Sequence, residues 1–363
     1  MPNQASIYDT PAIDRLRQEL RFDPQALRRF RNALLKHGRG DEDALGEIPA
    51  EVRETFARRV DLHALELHSR NDSQQDGATK LLFRTRAGML IESVILRIAT
   101  GRTTLCVSSQ VGCAAACDFC ATGKMGIAQN LSPAEILDQV VQSRQILTAE
   151  GRQLRNLVFM GMGEPFHNEE DLYAAIEALT APELFHQPPS RILASTVGLP
   201  DAMIRCARRF PNLNLALSLH SANQETRQQI IPLAKRYPLD ELRRALTELN
   251  RIQPDSTEVM VEYLMLAGLN DSQAAAAELV AWLSGLRVHV NLIPFNPIDD
   301  APHLHGSDRS TREAFGAHLK AAGLKCTIRY SLGADVAAAC GQLVRKENRK
   351  HAIAVKTANL SEA

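Results

Sequence analysis

From Ser132 to Tyr330 the sequence switches repeatedly between two periods, and this switching restricts the fold more than any other feature. Short apolar runs at Asn156 to Met160, Arg191 to Thr196, Asn212 to Leu219, Val259 to Met265, Val288 to Ile293 and Thr327 to Tyr330 read as buried strands. Helical spacing lies between them, as in Leu239 to Leu249 and Ala274 to Leu286. The helix from Pro133 to Leu147 is the plainest: Ser132 stands at its N-cap, with Glu135 three residues on. Strands that alternate with helices predict a parallel sheet with right-handed crossovers. A closed eight-unit barrel and an open sheet both satisfy that pattern.

Chemistry concentrates in one stretch, Cys113-Ala-Ala-Ala-Cys117-Asp-Phe-Cys120. Three thiolates can hold three irons of a cube and leave the fourth iron open, whereas a full Cys₄ set leaves no vacancy. Zinc in a Cys₃His site is the competing reading, although no His follows within forty residues to act as a local fourth ligand. Three small buried side chains are the bland one. The chain has seven Cys, three of them clustered, which suggests a reducing compartment rather than a disulfide framework. The sequence has no run of eighteen apolar residues and no signal-peptide pattern, so the expectation is a cytoplasmic protein without a membrane span. A net charge of zero argues against non-specific coating of nucleic acid but leaves room for a local basic face.

In α/β folds of this kind, ligands meet the C-terminal ends of the strands. Those ends carry Gly161-Met-Gly163-Glu164-Pro165, then Ser195-Thr196, then Ser218-Leu219-His220, then Pro294-Phe295-Asn296-Pro297. Each alone reads as a turn or a cap. Their recurrence at one end of successive units points to a shared pocket. The glycines are expected to let backbone approach a ligand, and Glu164 to pair with an ammonium group.

Upstream, Lys80 to Thr85 and Met89 to Ile98 read as strands of a hairpin turning at Arg86-Ala-Gly88. Glu92 inside the second strand reads as an outward-facing residue. Residues 1–70 read as helical, with Pro11 and Pro24 opening two amphipathic segments. The second is basic, through Arg21, Arg28, Arg29, Arg31, Lys36 and Arg39, and suits either a solvated face or an RNA backbone. Asn71 to Gly77 reads as a polar loop and domain boundary. The expected units are therefore residues 1–75, 76–335 and 336–363. The last contains Cys340 and a basic tail from Arg345 to His351.

The cysteine spacing resembles the CxxxCxxC signature of radical S-adenosylmethionine (SAM) enzymes. The longer run, Leu105-Cys-Val-Ser-Ser-Gln-Val-Gly-Cys113 through Phe119-Cys-Ala-Thr-Gly123, resembles the RlmN/Cfr family of adenosine methyltransferases, and the likeness extends from about Glu92 to Leu343. It does not include the first seventy residues. The resemblance implies an α/β fold, a partial (β/α)6 TIM-like barrel of radical SAM type with a small helical N-terminal domain. It implies a [4Fe-4S] cluster on Cys113, Cys117 and Cys120, and SAM against Gly163, Glu164, Ser195, Ser218, Leu219, His220 and Asn296. Glu92 falls where the family has a proposed proton acceptor.

On residues alone, Cys340 is ambiguous, because buried Cys is commoner than reactive Cys. The family's Ala-Cys-Gly-Gln-Leu segment matches Ala339 to Leu343, and there the Cys carries the methyl group. Adenine carbons 2 and 8 are electron-poor and do not attack the SAM methyl, so in the mechanism that the resemblance implies a carbon radical formed on the methylated Cys340 adds to the ring instead. Glu92 or Cys106 receives the ring proton. Cys106 then attacks the Cys340 sulfur and leaves a transient disulfide. Cys206 and Cys326 read as packing residues. The implied substrate is 23S ribosomal RNA, with a tRNA co-substrate and an external electron donor as further expected partners and a monomer as the expected state. Gly163-Glu164-Pro165 favours carbon 2. His289-Val-Asn-Leu292 and Phe159-Met160 favour carbon 8, and carbon 2 is the preferred reading. A radical SAM enzyme on a small molecule and an iron–sulfur sensor without turnover are the rivals.

Overall fold

The structure is a computed structural model that describes residues 4–126, 128–343 and Asn348. Its centre is a ten-stranded sheet: β1 (Leu65–Asp72), β2 (Ala78–Thr85), β3 (Leu90–Arg97), β4 (Thr103–Cys106), β5 (Asn156–Phe159), β6 (Ile192–Thr196), β7 (Asn214–Ser218), β8 (Val259–Met265), β9 (Val288–Pro294) and β10 (Lys325–Ile328). Each strand pairs with its neighbours in sequence, and β1 and β10 form the two edges. From β4 to β10 every pairing is parallel. The first three strands form antiparallel hairpins added to β4. The sheet is therefore the open, partial barrel rather than the closed alternative.

Helices cover one side of the parallel strands, as a crossover requires. The helix α5 (Pro133–Ala149) follows α1 (Thr10–Glu19), α2 (Pro24–Arg31), α3 (Asp41–Leu45) and α4 (Ala50–Arg59). It has the expected capping box, with Ser132 and Glu135 bonded reciprocally. Beyond it lie α6 (Glu169–Thr180), α7 (Pro200–Arg209), α8 (Gln224–Ile230), α9 (Leu239–Ile252), α10 (Gln273–Leu283) and α11 (Arg309–Ala321). Their apolar faces, including Ile136, Val140, Ile176, Met203, Leu246, Leu279 and Phe315, bury against Leu157, Leu215, Val261 and Val290 of the sheet.

The N-terminal helices join the same core through Leu16, Leu27, Phe30 and Phe56. Phe56 stacks edge-on to Phe22 and Phe30, with ring centroids 5.7 and 5.3 Å away. The basic segment is partly spent on structure. Arg31 is buried and reaches Asp14 at 3.3 Å, while Arg29 and Arg39 share Glu47. The helical reading of residues 1–70 holds only as far as Arg59. Leu65–Asp72 is an edge strand, mostly exposed and broken by a bulge between Leu67 and Ser69, so it lacks the alternation that would have marked it. Ser73 to Gly77, within the polar segment read as a boundary, forms the turn between β1 and β2. The expected turn at Arg86 to Gly88 is present, with Gly88 at φ 80°. Of the basic tail, only Asn348 is described. Its amide exchanges hydrogen bonds with the backbone of Leu90, and the remainder from Arg345 to His351 lies outside the described residues.

One buried carboxylate ties the helical layer to the barrel. Asp138 of α5 accepts from Tyr8 Oη at 2.9 Å, from Leu65 N at 2.8 Å and from Gln142 at 3.0 Å, and it contacts His63 Nδ1 at 2.7 Å. The other ring nitrogen of His63 meets Asp41 of α3 at 3.0 Å. Burial disfavours the imidazolium, but the hydrogen bonds and charges of Asp138 and Asp41 outweigh it and raise His63 to about 10. A raised His contributes stability fully below the unfolded value near 6.5 and loses it as pH climbs through the folded value. His63→Ala should cost roughly 1.5–3 kcal/mol at pH 6, the range for hydrogen bonds to charged groups. The deficit should shrink toward pH 10. Urea denaturation across that window checks it, and a deficit that does not change with pH rules the account out.

Candidate active site

The loop after β4 carries the three clustered thiols into a cavity at the C-terminal ends of the parallel strands. Its lining includes Cys113, Cys117, Cys120, Gly163, Glu164, Ser195, Ser218, His220 and Cys340. Nine of the expected site residues thus converge there from five separate segments. Burial pushes the Cys113 thiol up to about 12 and that of Cys117 well above the usual thiol range, and neighbouring Cys charges add to both. Such thiols stay protonated until a cation binds, and thiolate is the ligating form. Among the described residues no three His, Cys, Asp or Glu side chains converge on a single-ion point. A cubane is instead held by ligands spread around it, and an all-sulfur trio opening on a mostly apolar cavity with a few polar strand-end groups fits that group.

Each strand end contributes a different function. Glu164 Oε2 accepts from Val197 N at 2.8 Å and Oε1 from Phe166 N at 3.1 Å, so the carboxylate is locked in place after β5. Burial raises it to about 7 against those hydrogen bonds. Ser195 and Ser218 bring their hydroxyls to 3.4 Å across β6 and β7. His220 stands at φ 59°, stacks edge-on with Phe119 at 4.8 Å, and accepts from Leu264 N at its Nδ1. Burial and the nearby Arg227 lower it to about 3. The ring is therefore neutral, with Nε2 left as the donor.

The glycines line the cavity and also relieve crowding within the protein. A Cβ at Gly163 would lie 2.6 Å from the Gln110 side chain, and one at Gly161 would lie 2.6 Å from Val107 O. They let the ends of β4 and β5 pass close together. Leu219 and Asn296 stand apart from the rest of the expected set. Leu219 is fully buried, and its carbonyl accepts from Arg227 at 3.1 Å. Asn296 Nδ2 donates to Cys340 O at 3.0 Å and so holds the thiol's loop.

Cys340 is placed by that loop. Ala121 N donates to Gly341 O at 2.8 Å, and Thr122 Oγ1 donates to Leu343 O, so the thiol's loop is stitched to the cysteine cluster's own loop. At the other end Asp335 accepts from Ser73 Oγ at 2.8 Å and Gln74 N at 2.9 Å. Cys340 keeps an accessible surface because it faces cavity space, yet protein surrounds it closely enough for desolvation to raise its pKa against the Arg329 guanidinium. A second cavity of about 900 Å³ meets the first at Cys120, Met160, Gly161, Ile293, Arg329 and Cys340, and it also contains Cys106. Cys106 ends β4, and burial raises its thiol to about 12 with the Cys340 charge adding to it. Both are free thiols. Glu92 is buried, not outward-facing, and lies 3.5 Å from Lys80 Nζ. It shares the face of β3 that sends Val94 and Leu96 into the second cavity, but it lines neither cavity itself.

Two residues in these walls, and a third behind them, carried no sequence signal. Glu262 sits mid-strand in β8, in register with Ser218 and Asn291, and takes the Asn291 amide at 3.1 Å. Arg329 follows β10 and stands 3.8 Å from Glu262. Arg227 of α8 is fully buried and donates to Val197 O at 2.5 Å, tying two strand-end loops together. A polar residue in a strand has the same pattern whether it faces water or a cavity, and only the register separates the two.

If Glu164 receives the SAM ammonium, Glu164→Gln should weaken SAM binding by about tenfold or more, as expected for a lost charge-assisted hydrogen bond. The amide oxygen can keep only one of the two backbone N–H groups and the NH2 would face the other, so a thermal melt of the variant accompanies the binding measurement to separate lost affinity from lost fold. Anaerobic calorimetry with SAM measures it, and unchanged affinity would reject this role.

The sequence profile of the Radical SAM superfamily matches residues 107–280. A probable RNA methyltransferase of Rhodopirellula baltica is 58% identical over 352 residues, which is 97% of this chain and 91% of that protein. A probable dual-specificity RNA methyltransferase RlmN of Thermus thermophilus is 38% identical, covering 93% and 94% of the two chains. The ribosomal RNA large subunit methyltransferase Cfr of Staphylococcus aureus is 35% identical, covering 87% and 90%. In three dimensions, the crystal structure of a radical SAM methyltransferase from Sphaerobacter thermophilus superposes with a TM-score of 0.86 at 37% identity, covering 93% of this chain and 99% of that one. These likenesses, over nearly the whole chain, place it in the RlmN/Cfr family of radical SAM RNA methyltransferases.

Proposed function

We propose that the chain methylates carbon 2 of an adenosine in 23S ribosomal RNA near the peptidyl transferase centre, with Cys340 as the methyl carrier. The observation that carries this is the position of Cys340 where two cavities meet. One holds the cysteine trio and the strand-end polar set, and the other holds Cys106. Cys113, Cys117 and Cys120 would hold the [4Fe-4S] cluster, and Gly163, Glu164, Ser195, Ser218 and His220 would hold SAM. Leu219 and Asn296 would act through the loops they fix. A reduced cluster, when bound, supplies the electron that cleaves SAM into a hydrogen-abstracting radical.

The protein's own residues would do the rest. The Cys340 thiolate attacks the methyl of a first SAM, forming its S–C bond as the sulfonium S–C bond breaks and S-adenosylhomocysteine leaves. Arg329 favours the thiolate. After hydrogen abstraction the Cys340 methylene carbon bonds to the adenine, which occupies the second cavity. Glu92 or Cys106 takes the ring proton, and the odd electron left on the adduct would return to the oxidised cluster when that group is bound. Cys106 then attacks the Cys340 sulfur, the bond to the methylene carbon breaks, and that carbon is protonated to methyl. The resulting Cys106–Cys340 disulfide needs an outside reductant, as the cluster needs an outside electron donor.

Carbon 8 is the second reading, supported by the likeness to a protein named Cfr, which is slightly weaker than that to one named RlmN. The words dual-specificity in that relative's name support a tRNA as a further substrate. The helical layer before residue 75 is proposed as an RNA-facing unit through exposed side chains such as Arg28, since Arg31 is buried. Among the described residues no helix is long and apolar enough to cross a membrane, which is compatible with the proposed cytoplasmic monomer.

Anaerobic reconstitution with iron and sulfide, followed by dithionite, SAM and naked 23S rRNA, should yield 2-methyladenosine on nuclease digestion and mass analysis. 8-Methyladenosine would move the assignment to the second reading, and no methylated adenosine would overturn both. Cys106→Ala should accumulate a covalent protein–RNA adduct visible by denaturing electrophoresis. Release of free product at the normal rate would remove the Cys106 step.

A further inference from the structure

The mouth of the second cavity carries a feature that the chemistry above does not use. Its walls are the C-terminal end of β3, with Val94, Leu96 and Ile98, and the segment after β10, with Arg329 and Tyr330. Tyr330 is 85% exposed and Ile98 38%. A lone exposed aromatic is ordinary on a protein surface. Tyr330 differs because it lines the cavity that also contains Cys106 and Cys340. The mouth is also cationic. Arg102 is exposed and donates to Thr100 Oγ1 at 3.3 Å, and Arg97 is held by Glu150 at 2.7 Å. Asp76, the acidic residue in the lining, is occupied by the backbone N–H groups of Ala78 and Gly333.

We propose that Tyr330 is a stacking platform for the nucleotide next to the target adenosine, with Ile98 on the opposite wall and Arg102 at the phosphate between the two nucleotides. The proposal rests on the RNA reading above. A base that leaves its stack to enter the cavity exposes the face of its neighbour, and that neighbour needs a new partner. Single-stranded RNA is commonly held on aromatic rings with cations along the backbone. A flat ring at the entrance, with an exposed guanidinium in the same lining, meets both needs. The cavity fits a base, and the rim fits the chain that brings it. The platform would act in positioning and binding, not in bond making.

The test uses the full chain, reconstituted anaerobically, with naked 23S rRNA. Tyr330→Ala should raise KM for RNA by about fivefold or more, the fold-change expected from losing one base–aromatic stack, with a smaller change in kcat. Tyr330→Phe and Tyr330→Trp should restore it, and the Trp variant's emission should be quenched when RNA is added. Arg102→Ala should lower the salt dependence of RNA binding. Wild-type KM in Tyr330→Ala, or unquenched emission in a Tyr330→Trp protein that binds RNA, overturns the platform. Intact-protein mass separates this failure from failure of the parent reading. If the unsubstituted chain incubated with SAM gains no methyl on Cys340, the methyl-carrier mechanism itself is wrong. If it gains one while Tyr330→Ala behaves as wild type, only the platform falls.

Discussion

The arrangement depends on a short set of hydrogen bonds between two loops that are far apart in sequence. Ala121 and Thr122 hold Gly341 and Leu343, and Asn296 holds the Cys340 carbonyl. These bonds bring a thiol from the end of the described chain over a trio that begins at Cys113. Each is an ordinary bond of about 1 kcal/mol net. Their value lies in position, since a reacting group displaced by about an ångström can lose a hundredfold in rate. The far end of the Cys340 loop is pinned by Asp335 to the turn between β1 and β2, and Asp76 from that turn takes the Gly333 N–H. The antiparallel hairpins therefore serve as an anchor for the Cys340 loop as well as an extension of the sheet.

The parallel strands provide the other half of the site. Their register sets Ser218, Glu262 and Asn291 in one row, and the loops after β5, β6 and β7 bring Glu164, Val197 and His220 around it. Arg227 spans two of those loops from inside, with its charge kept despite a value lowered to about 10 by burial. Removing it would leave carbonyls at Val197 and Leu219 without their donor, so it shapes the cavity from behind. The thiols and carboxylates facing the cavity are mostly shifted toward their neutral forms by burial. A dry pocket of this kind favours ligands that bring positive charge, which both an iron–sulfur cluster and a sulfonium do.

What the sequence by itself determined was chemistry with local spacing. The trio Cys113, Cys117 and Cys120, the capping box at Ser132 and the alternation from β5 to β10 are all patterns within a few residues, and each appears where the pattern put it. The strand-end residues were legible for the same reason, because a parallel crossover fixes which strand ends share a face. Three things were decided only by tertiary structure. Glu92 is buried beside Lys80, because the Cys340 segment covers the sheet face from which both point, with its Ala337 carbonyl accepting from Lys80 Nζ at 3.3 Å. Arg31 found an acid on α1 and Arg39 one in the turn between α3 and α4, so a basic run became partly structural. Glu262, Arg329 and Tyr330 took their places in the cavity walls through register and loop path, and neither is written in any short window of sequence.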